Sequence, residues 1–195
     1  MTETTLPDVE TSTPDDSTTA PGAEPRTLTT HVAIHRVVVL VNPLSGSVGP
    51  RAASEVEAIL AEYPCDAEVV ELVGDTMDAQ INTALASTPD VLFVLAGDGT
   101  ARAAASKAGP KGPLVAPLPG GTMNMLPKAL YGTTDWKVAL RNALEHGQPQ
   151  CVSGGSVEGQ AFYCAGIFGS PALWAPAPRR RRRSKGSTDR SAILV

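Results

Sequence analysis

Regular apolar patterning begins near residue 36. Arg36-Val-Val-Val-Leu-Val-Asn42 is a β-branched run closed by Pro43 and Gly46, as expected of a strand buried on both faces. Ala52, Val56, Ile59, Leu60 and Tyr63 then recur at helical spacing, and Pro64 stops that helix. Ala67–Leu72 reads as a second strand, and Thr76–Ser87 as a second helix that Thr and Asn interrupt. Val91–Leu95 is a third strand, leading into Ala96-Gly-Asp-Gly-Thr100. An Ala-rich helix over 101–108 stops at Gly109-Pro110, and Leu114–Ala116 leads as a fourth strand into Pro119-Gly-Gly-Thr-Met-Asn124. The clearest helix is Asp135–His146, where Trp136, Ala139, Leu140, Ala143 and Leu144 share one face and Gly147 takes the C-cap position.

Strand–helix alternation of this kind implies an α/β fold, a parallel sheet with helices on both faces. After it, Cys151–Val157 and Gln160–Ala165 read as a β-hairpin joined around Glu158-Gly159. The change of pattern predicts four parts: a disordered leader over 1–34, an α/β domain over 35–148, the start of a β-rich second domain over 149–175, and a disordered basic tail over 176–195. No internal repeat is visible.

Composition narrows the function classes. A chain of 195 residues holds one ordinary domain and the start of another, and 42% hydrophobic residues suffice for a core. The net charge of −4 is unevenly spread: residues 1–28 carry six acids and one base, 29–178 thirteen acids and eight bases, and 179–195 seven bases and one acid. A mildly acidic central domain argues against nucleic acid as its partner. Cys65, Cys151 and Cys164 lack C-x-x-C spacing, and His31, His35 and His146 lack metal-ligand spacing, so reduced, buried thiols are expected and a zinc site is not. No export signal and no span of ~20 apolar residues is present, which predicts a cytoplasmic protein whose membrane contact is peripheral.

The candidate chemistry lies where ligands bind in open parallel sheets, beyond the carboxyl ends of the strands. Three turns occupy such ends: Asn42-Pro-Leu-Ser-Gly-Ser-Val-Gly49, Gly97-Asp-Gly-Thr100 and Pro119-Gly-Gly-Thr-Met-Asn124. Each follows a strand and precedes a helix, so all three are expected on one rim. Glycine lets backbone N–H groups approach an anion, and a helix N-terminus favours negative charge there. Any one of these turns alone is commonly just a tight turn; three in this order make a polyphosphate cradle. The patterns G-x-x-x-x-G-K-[ST] and G-x-G-x-x-G are both absent, which disfavours the ordinary P-loop and dinucleotide routes.

Those turns resemble the diacylglycerol kinase catalytic domain family, shared with sphingosine kinases and bacterial lipid kinases and distantly related to NAD kinases. The resemblance rests on Asn42, Pro43, Ser45 and Gly46, then Gly97, Asp98, Gly99 and Thr100, then Pro119, Gly121, Thr122 and Asn124, over roughly residues 36–170. It implies an ATP site with Mg²⁺: Asn42, Ser45 and Gly46 flank the nucleotide, Gly97, Gly99 and Thr100 hold its phosphates, and Gly121, Thr122 and Asn124 close the other side. Asp98 is the implied catalytic carboxylate, acting either through the metal or on the acceptor hydroxyl; the other reading of Asp98 is an Asx turn or helix N-cap. Further metal ligands stay open. The implied reaction is transfer of the ATP γ-phosphoryl group to a lipid alcohol, diacylglycerol first. A non-catalytic nucleotide-binding fragment and a NAD kinase-like phosphotransferase are the alternatives.

The chain departs from the family pattern in places. Ala96 stands where the first Gly of the acidic turn is usual, and Arg102 and Ala103 replace a common Asn and Glu. Met123 and Met125 replace a common Gly and Asp, which leaves ribose contacts and acceptor choice open; Arg102 and Lys128 are positional candidates for phosphate ligands. The family continues into a largely antiparallel β domain that supplies much of the lipid site, and here only Cys151 to about Trp174 matches its start. The basic stretch from Pro176 is read as a frameshift or premature-stop product, with an anchor to anionic lipid as the other reading. Nucleotide binding without turnover, or aggregation, is expected of so short a chain.

Overall fold

A computed structural model describes residues 32–157, 160–163 and 190–194. Its elements run β1 (Arg36–Val41), α1 (Ala52–Leu60), β2 (Asp66–Glu71), α2 (Met77–Ala86), β3 (Val91–Ala96), α3 (Asp98–Ala108), β4 (Leu114–Pro119), α4 (Met125–Tyr131), α5 (Trp136–His146), β5 (Pro149–Ser153), β6 (Gly155–Val157), β7 (Gln160–Phe162) and β8 (Arg190–Leu194). One sheet has the order β2-β1-β3-β4-β8-β5, and its first four strands are parallel.

The alternation of side chains along a strand explains the two-sided core. Val37, Val39, Val41, Phe93, Leu95, Ala116 and Leu118 face one way, against Ala52, Val56 and Ile59 of α1 and Ala139, Leu140 and Leu144 of α5. Val38, Leu40, Leu92, Val94 and Val115 face the other way, against Ile81 and Ala84 of α2 and Ala101, Ala104 and Ala105 of α3. All six residues of β3 are buried, so both faces of the sheet are covered, as a parallel sheet requires. The small side chains of α3 let it approach the sheet closely. Removing a ring from the centre, as in Phe93→Ala, costs about 3–5 kcal/mol by this packing.

Helix α5 is tied to α1 by polar contacts as well as by its apolar face. Asp135 caps α5 by accepting from Lys137 N–H at 2.9 Å and Val138 N–H at 3.4 Å. One turn apart, Lys137 pairs with Glu55 at 2.9 Å and Arg141 with Glu62 at 2.5 Å, and the Tyr63 hydroxyl donates to Glu145 at 2.7 Å. Each such half-exposed pair contributes at most about 1 kcal/mol; together they fix the register of the two helices.

Several elements differ from the sequence reading, each for a physical reason. Helix α3 starts at Asp98 rather than Ala101, because Gly97 is extended (φ −77°, ψ 166°) and the chain turns helical immediately after it. Strand β4 continues past Ala116 through Pro117 to Pro119. Leu114 N–H donates to the Asp90 carbonyl at 3.1 Å, so Leu114, Ala116 and Leu118 turn their backbone groups to β3. Pro117 and Pro119 then face outward, where their missing N–H groups break no bond to β3. The same prolines limit what can pair outside: β8 meets β4 only at Val115↔Ile193, while five of its residues pair antiparallel with β5. Helix α4 has seven residues and tolerates Pro127 because a third helical residue has no intrahelical N–H bond to lose.

The end of the chain needs two corrections. The expected structureless tail over 176–195 contains a strand at Arg190–Leu194, and its β-prone Ser-Ala-Ile-Leu stretch lies between two strands that need a neighbour. Strand β5, expected in a second domain, joins the main sheet through β8. The hairpin is present as β6 and β7, paired antiparallel from Gly155↔Phe162 to Val157↔Gln160, with its Glu158-Gly159 turn outside the described residues. Residues 1–31 of the expected leader over 1–34 and the segment 164–189, with the arginine run and Cys164, also lie outside them, whereas Ile34 of that leader is buried in the core. Cys151 is exposed rather than buried, since β5 is the last strand of the sheet; Cys65 is half-buried, which together with the Asp66 carboxylate raises its thiol pKa. No helix among the described residues is long and apolar enough to cross a membrane.

Candidate nucleotide site

Strand order places the site. The chain leaves β1 toward β2 on one side, and β3 then lies on the other side of β1. The crevice between the carboxyl ends of β1 and β3 is thus the switch point of the sheet, where loops diverge and leave room for a ligand. The turns after β1, β3 and β4 meet there.

Their contact is direct. Asn42 N–H donates to the Leu95 carbonyl at 2.9 Å, joining the first turn to the end of β3. Ser47 N–H donates to the Gly120 carbonyl at 3.2 Å, joining the first turn to the third. A Cβ on Gly46 would stand 3.0 Å from the Gly121 carbonyl carbon and 3.1 Å from Thr122 N. A Cβ on Gly121 would stand 2.7 Å from the Gly97 Cα, and one on Gly120 2.8 Å from Ala96 N. A side chain at 120 or 121 would force the turns apart, and one at 46 would fit only if its neighbours gave by a few tenths of an ångström. At Gly97 the nearest atom to such a Cβ is the Ser45 hydroxyl at 3.5 Å, and at Gly99 nothing lies within 4 Å. The open space for a ligand is at the start of α3.

That start carries two kinds of group. Gly97, Asp98 and Gly99 precede the first bonded N–H groups of the helix, which are those of Thr100 and Ala101 donating to the Gly97 carbonyl at 3.1 and 3.2 Å. Their N–H groups lie at the positive end of an eleven-residue helix. Asp98 is the first helical residue, and its carboxylate makes no capping bond to its own helix. One oxygen, Oδ2, accepts weakly from Met125 N–H at 3.4 Å, and the other, Oδ1, is buried without a partner. The Asx-turn and N-cap reading of Asp98 has no bond to support it. An orphaned carboxylate oxygen beside a helix N-terminus is suited to a cation or to the proton of an incoming hydroxyl.

The other expected site residues fall into distinct places. Asn42 Oδ1 accepts from Leu44 N–H at 3.1 Å and shapes the first turn, which leaves Ser45 beside Gly97. Thr100 is in the first turn of α3, with its hydroxyl directed at the Met77 sulfur of α2, 3.7 Å away. Thr122 is exposed next to Gly46. Gly121 is buried and gives its N–H to Asn124 Oδ1 at 2.6 Å. Among the described residues, no group of three or more His, Cys, Asp or Glu side chains is placed to hold a metal ion by itself.

A second feature had no sequence signal. A cleft of about 190 Å³ adjoins Asp98 and is lined by Gly99 and Arg102 of α3, Met125 and Leu126 of α4, and Phe162 and Tyr163 at the end of the hairpin. Around the same rim, Leu44 is 88% exposed, Met123 70% and Met125 46%. Three of the five exposed large apolar side chains among the described residues thus lie around this rim.

Comparison with known proteins agrees with this geometry. Residues 36–155 match the family described as the diacylglycerol kinase catalytic domain. A solved structure of a diacylglycerol kinase from Bacillus anthracis str. Sterne is similar at 25% identity with a TM-score of 0.56, covering 67% of this chain and 46% of that one. A candidate diacylglycerol kinase from the same organism is similar at 24% identity and a TM-score of 0.52, covering 67% of this chain and 49% of that one. This chain thus spans about half the length of those structures. No curated protein matches it. The α/β sheet, the three converging turns and the match over 36–155 show that the chain belongs to the diacylglycerol kinase catalytic domain family, a family of kinases.

Proposed function

We propose that the crevice binds ATP with Mg²⁺ and presents its γ-phosphate to the hydroxyl of a lipid alcohol, diacylglycerol being the first candidate. The observation that carries this reading is Asp98: a carboxylate at the start of α3 with Oδ1 buried and unpartnered, next to the open space at Gly99. Residues Gly97–Gly99 offer N–H groups to phosphate oxygens, with the Ser45 hydroxyl beside Gly97 and the Thr122 hydroxyl beside Gly46. Magnesium usually takes one or two carboxylates and completes its shell with substrate phosphates and water. Asp98 alone on the protein side fits that habit. When bound, the ion neutralises charge on the transferring phosphoryl group.

The acceptor side is supported by the cleft of Arg102, Met125, Leu126, Phe162 and Tyr163. Its apolar wall suits the carbon chain next to a hydroxyl, and in this reading Asp98 acts either through the metal or as the acceptor of that hydroxyl's proton. In the transfer, the acceptor oxygen bonds to the γ-phosphorus, the bridge to the β-phosphate breaks, and ADP leaves. Exposed Leu44, Met123 and Met125 would let the rim rest on a lipid surface, so the acceptor need not leave the membrane fully.

The test is calorimetric titration with ATP and Mg²⁺ of the parent and of Asp98→Asn. The parent is expected to bind, and the variant to lose at least about tenfold in metal-dependent affinity. A folded parent that binds no nucleotide would refute the proposal. A second reading is nucleotide binding without turnover. Radiolabelled transfer to diacylglycerol in mixed micelles separates the two, and transfer to NAD instead would indicate a different acceptor class.

A further inference from the structure

We infer that Asn124 is a positioning residue, which acts on Asp98 through the third turn instead of touching nucleotide; this rests on the crevice being the nucleotide site. Asn124, 6% exposed, is the one buried polar or charged residue among the described residues. It adopts the left-handed conformation (φ 48°, ψ 40°), which among the described non-glycine residues only Thr88 approaches. Such a backbone costs an ordinary side chain about 1–2 kcal/mol, and Asn is among the few residues that adopt it readily.

Three bonds show what that conformation accomplishes. The Asn124 Oδ1 accepts from Gly121 N–H at 2.6 Å, closing the turn on itself. The Asn124 carbonyl accepts from Lys128 N–H at 2.9 Å, which starts α4. The next N–H, of Met125, is thereby aimed at Asp98 Oδ2, 3.4 Å away. Gly121 in turn packs on the Gly97 backbone, immediately before Asp98. One side chain therefore fixes the acidic residue from two directions, by contact through Gly121 and by hydrogen bond through Met125. The Gly121 N–H is already satisfied by Asn124 Oδ1, so this donor of the third turn is held for the turn itself and not offered to phosphate.

The experiment compares Asn124→Gly, Asn124→Asp, Asp98→Asn and the double variant Asn124→Gly/Asp98→Asn in the full chain. Glycine keeps the left-handed backbone but removes the acceptor, whereas Asp keeps both. Amide exchange should show the Gly121 N–H protected in the parent and in Asn124→Asp, and unprotected in Asn124→Gly. Titration with ATP and Mg²⁺ should show Asn124→Gly about 10–100-fold weaker than the parent, as for other residues that orient a ligand-binding group. The double variant should bind no more weakly than Asp98→Asn alone, because both changes remove the same function. Losses that multiply in the double variant would mean that Asn124 contacts nucleotide independently and would overturn the inference. Unchanged exchange at Gly121 in Asn124→Gly would overturn it too. If the parent binds no ATP, the nucleotide reading fails by itself, and exchange at Gly121 still decides whether Asn124 is the latch.

Discussion

The packing of the three turns can be tested without any ligand, by adding one methyl group at a time. A Cβ at Gly121 would lie 2.7 Å from the Gly97 Cα. Ordinary carbon contacts are at about 3.5–4.0 Å, so the third turn would have to retreat from the second by roughly 1 Å. Both sides of the contact are backbone and cannot rotate away. Overpacking of this kind costs about 1–3 kcal/mol, which for a chain of this size is roughly 2–12 °C in Tm. Gly97→Ala places its Cβ 3.5 Å from the Ser45 hydroxyl and 3.8 Å from the Gly121 Cα, ordinary distances that predict a change within about 0.5 kcal/mol. Gly99→Ala meets nothing within 4 Å and lies in the first turn of α3, so it should stabilise by about 0.4–1 kcal/mol. Thermal melts of the three apo variants should rank Gly121→Ala lowest, Gly97→Ala near the parent and Gly99→Ala at or above it. A Gly121→Ala protein that melts with the parent, or a Gly99→Ala protein that falls beside Gly121→Ala, would refute the described contact between the turns.

Two other expectations concern the two margins of the sheet. Asp90 accepts from Arg36 N–H at 2.9 Å and from His35 N–H at 2.7 Å, and these bonds, Arg36 first, hold its carboxyl below the usual carboxylate range. Its contribution is therefore fully present above the unfolded value near pH ~3.9 and is lost as pH falls from there through the folded value; Asp90→Asn should flatten that part of an acid-unfolding curve, and an unchanged slope would contradict the linkage. At the other margin, β5 reaches the sheet through β8, so Ile193→Pro should raise amide exchange at Gln150–Val152 and leave β1 and β3 protected. Equal protection of β5 in parent and variant would show that β8 is not its neighbour.

Much of the fold was legible because the sequence states the same thing at several levels. Buried parallel strands appear as unbroken apolar runs, and β1 and β3 have that form. Helix α5 combines an apolar face, an Asp135 cap and a terminal Gly147, and was read to within one residue of its observed start. The sequence reading ends β4 at Ala116 and contains no α4; both elements carry proline, where whether a missing N–H matters depends on what that group would have faced. In β4 it faces outward, and in α4 it falls in the first turn. Strand β8 escaped notice because its neighbours in sequence are basic and polar, while its pairing partners are more than thirty residues away.

The site shows the same limit in a more instructive form. The turns that carry Asn42, Ser45, Gly97, Asp98, Gly121 and Thr122 contact one another, but the motifs assign their glycines a single purpose. A sequence cannot separate a glycine that admits a ligand from one that admits another loop, because both leave the same blank. Coordinates separate them by what a Cβ would touch: backbone at Gly46, Gly120 and Gly121, and open space at Gly99. The division has a mechanical logic. In the proposed nucleotide site, turns that hold an acidic residue against the repulsion of a polyphosphate need to be stiff, and backbone packed on backbone is the stiffest contact available. The start of α3 is left open at Gly99, and Asp98 stands there with an unpartnered oxygen. Rigidity in two turns and vacancy in the third are thus complementary demands on one small residue type, and preorganisation of the charged group follows from meeting both.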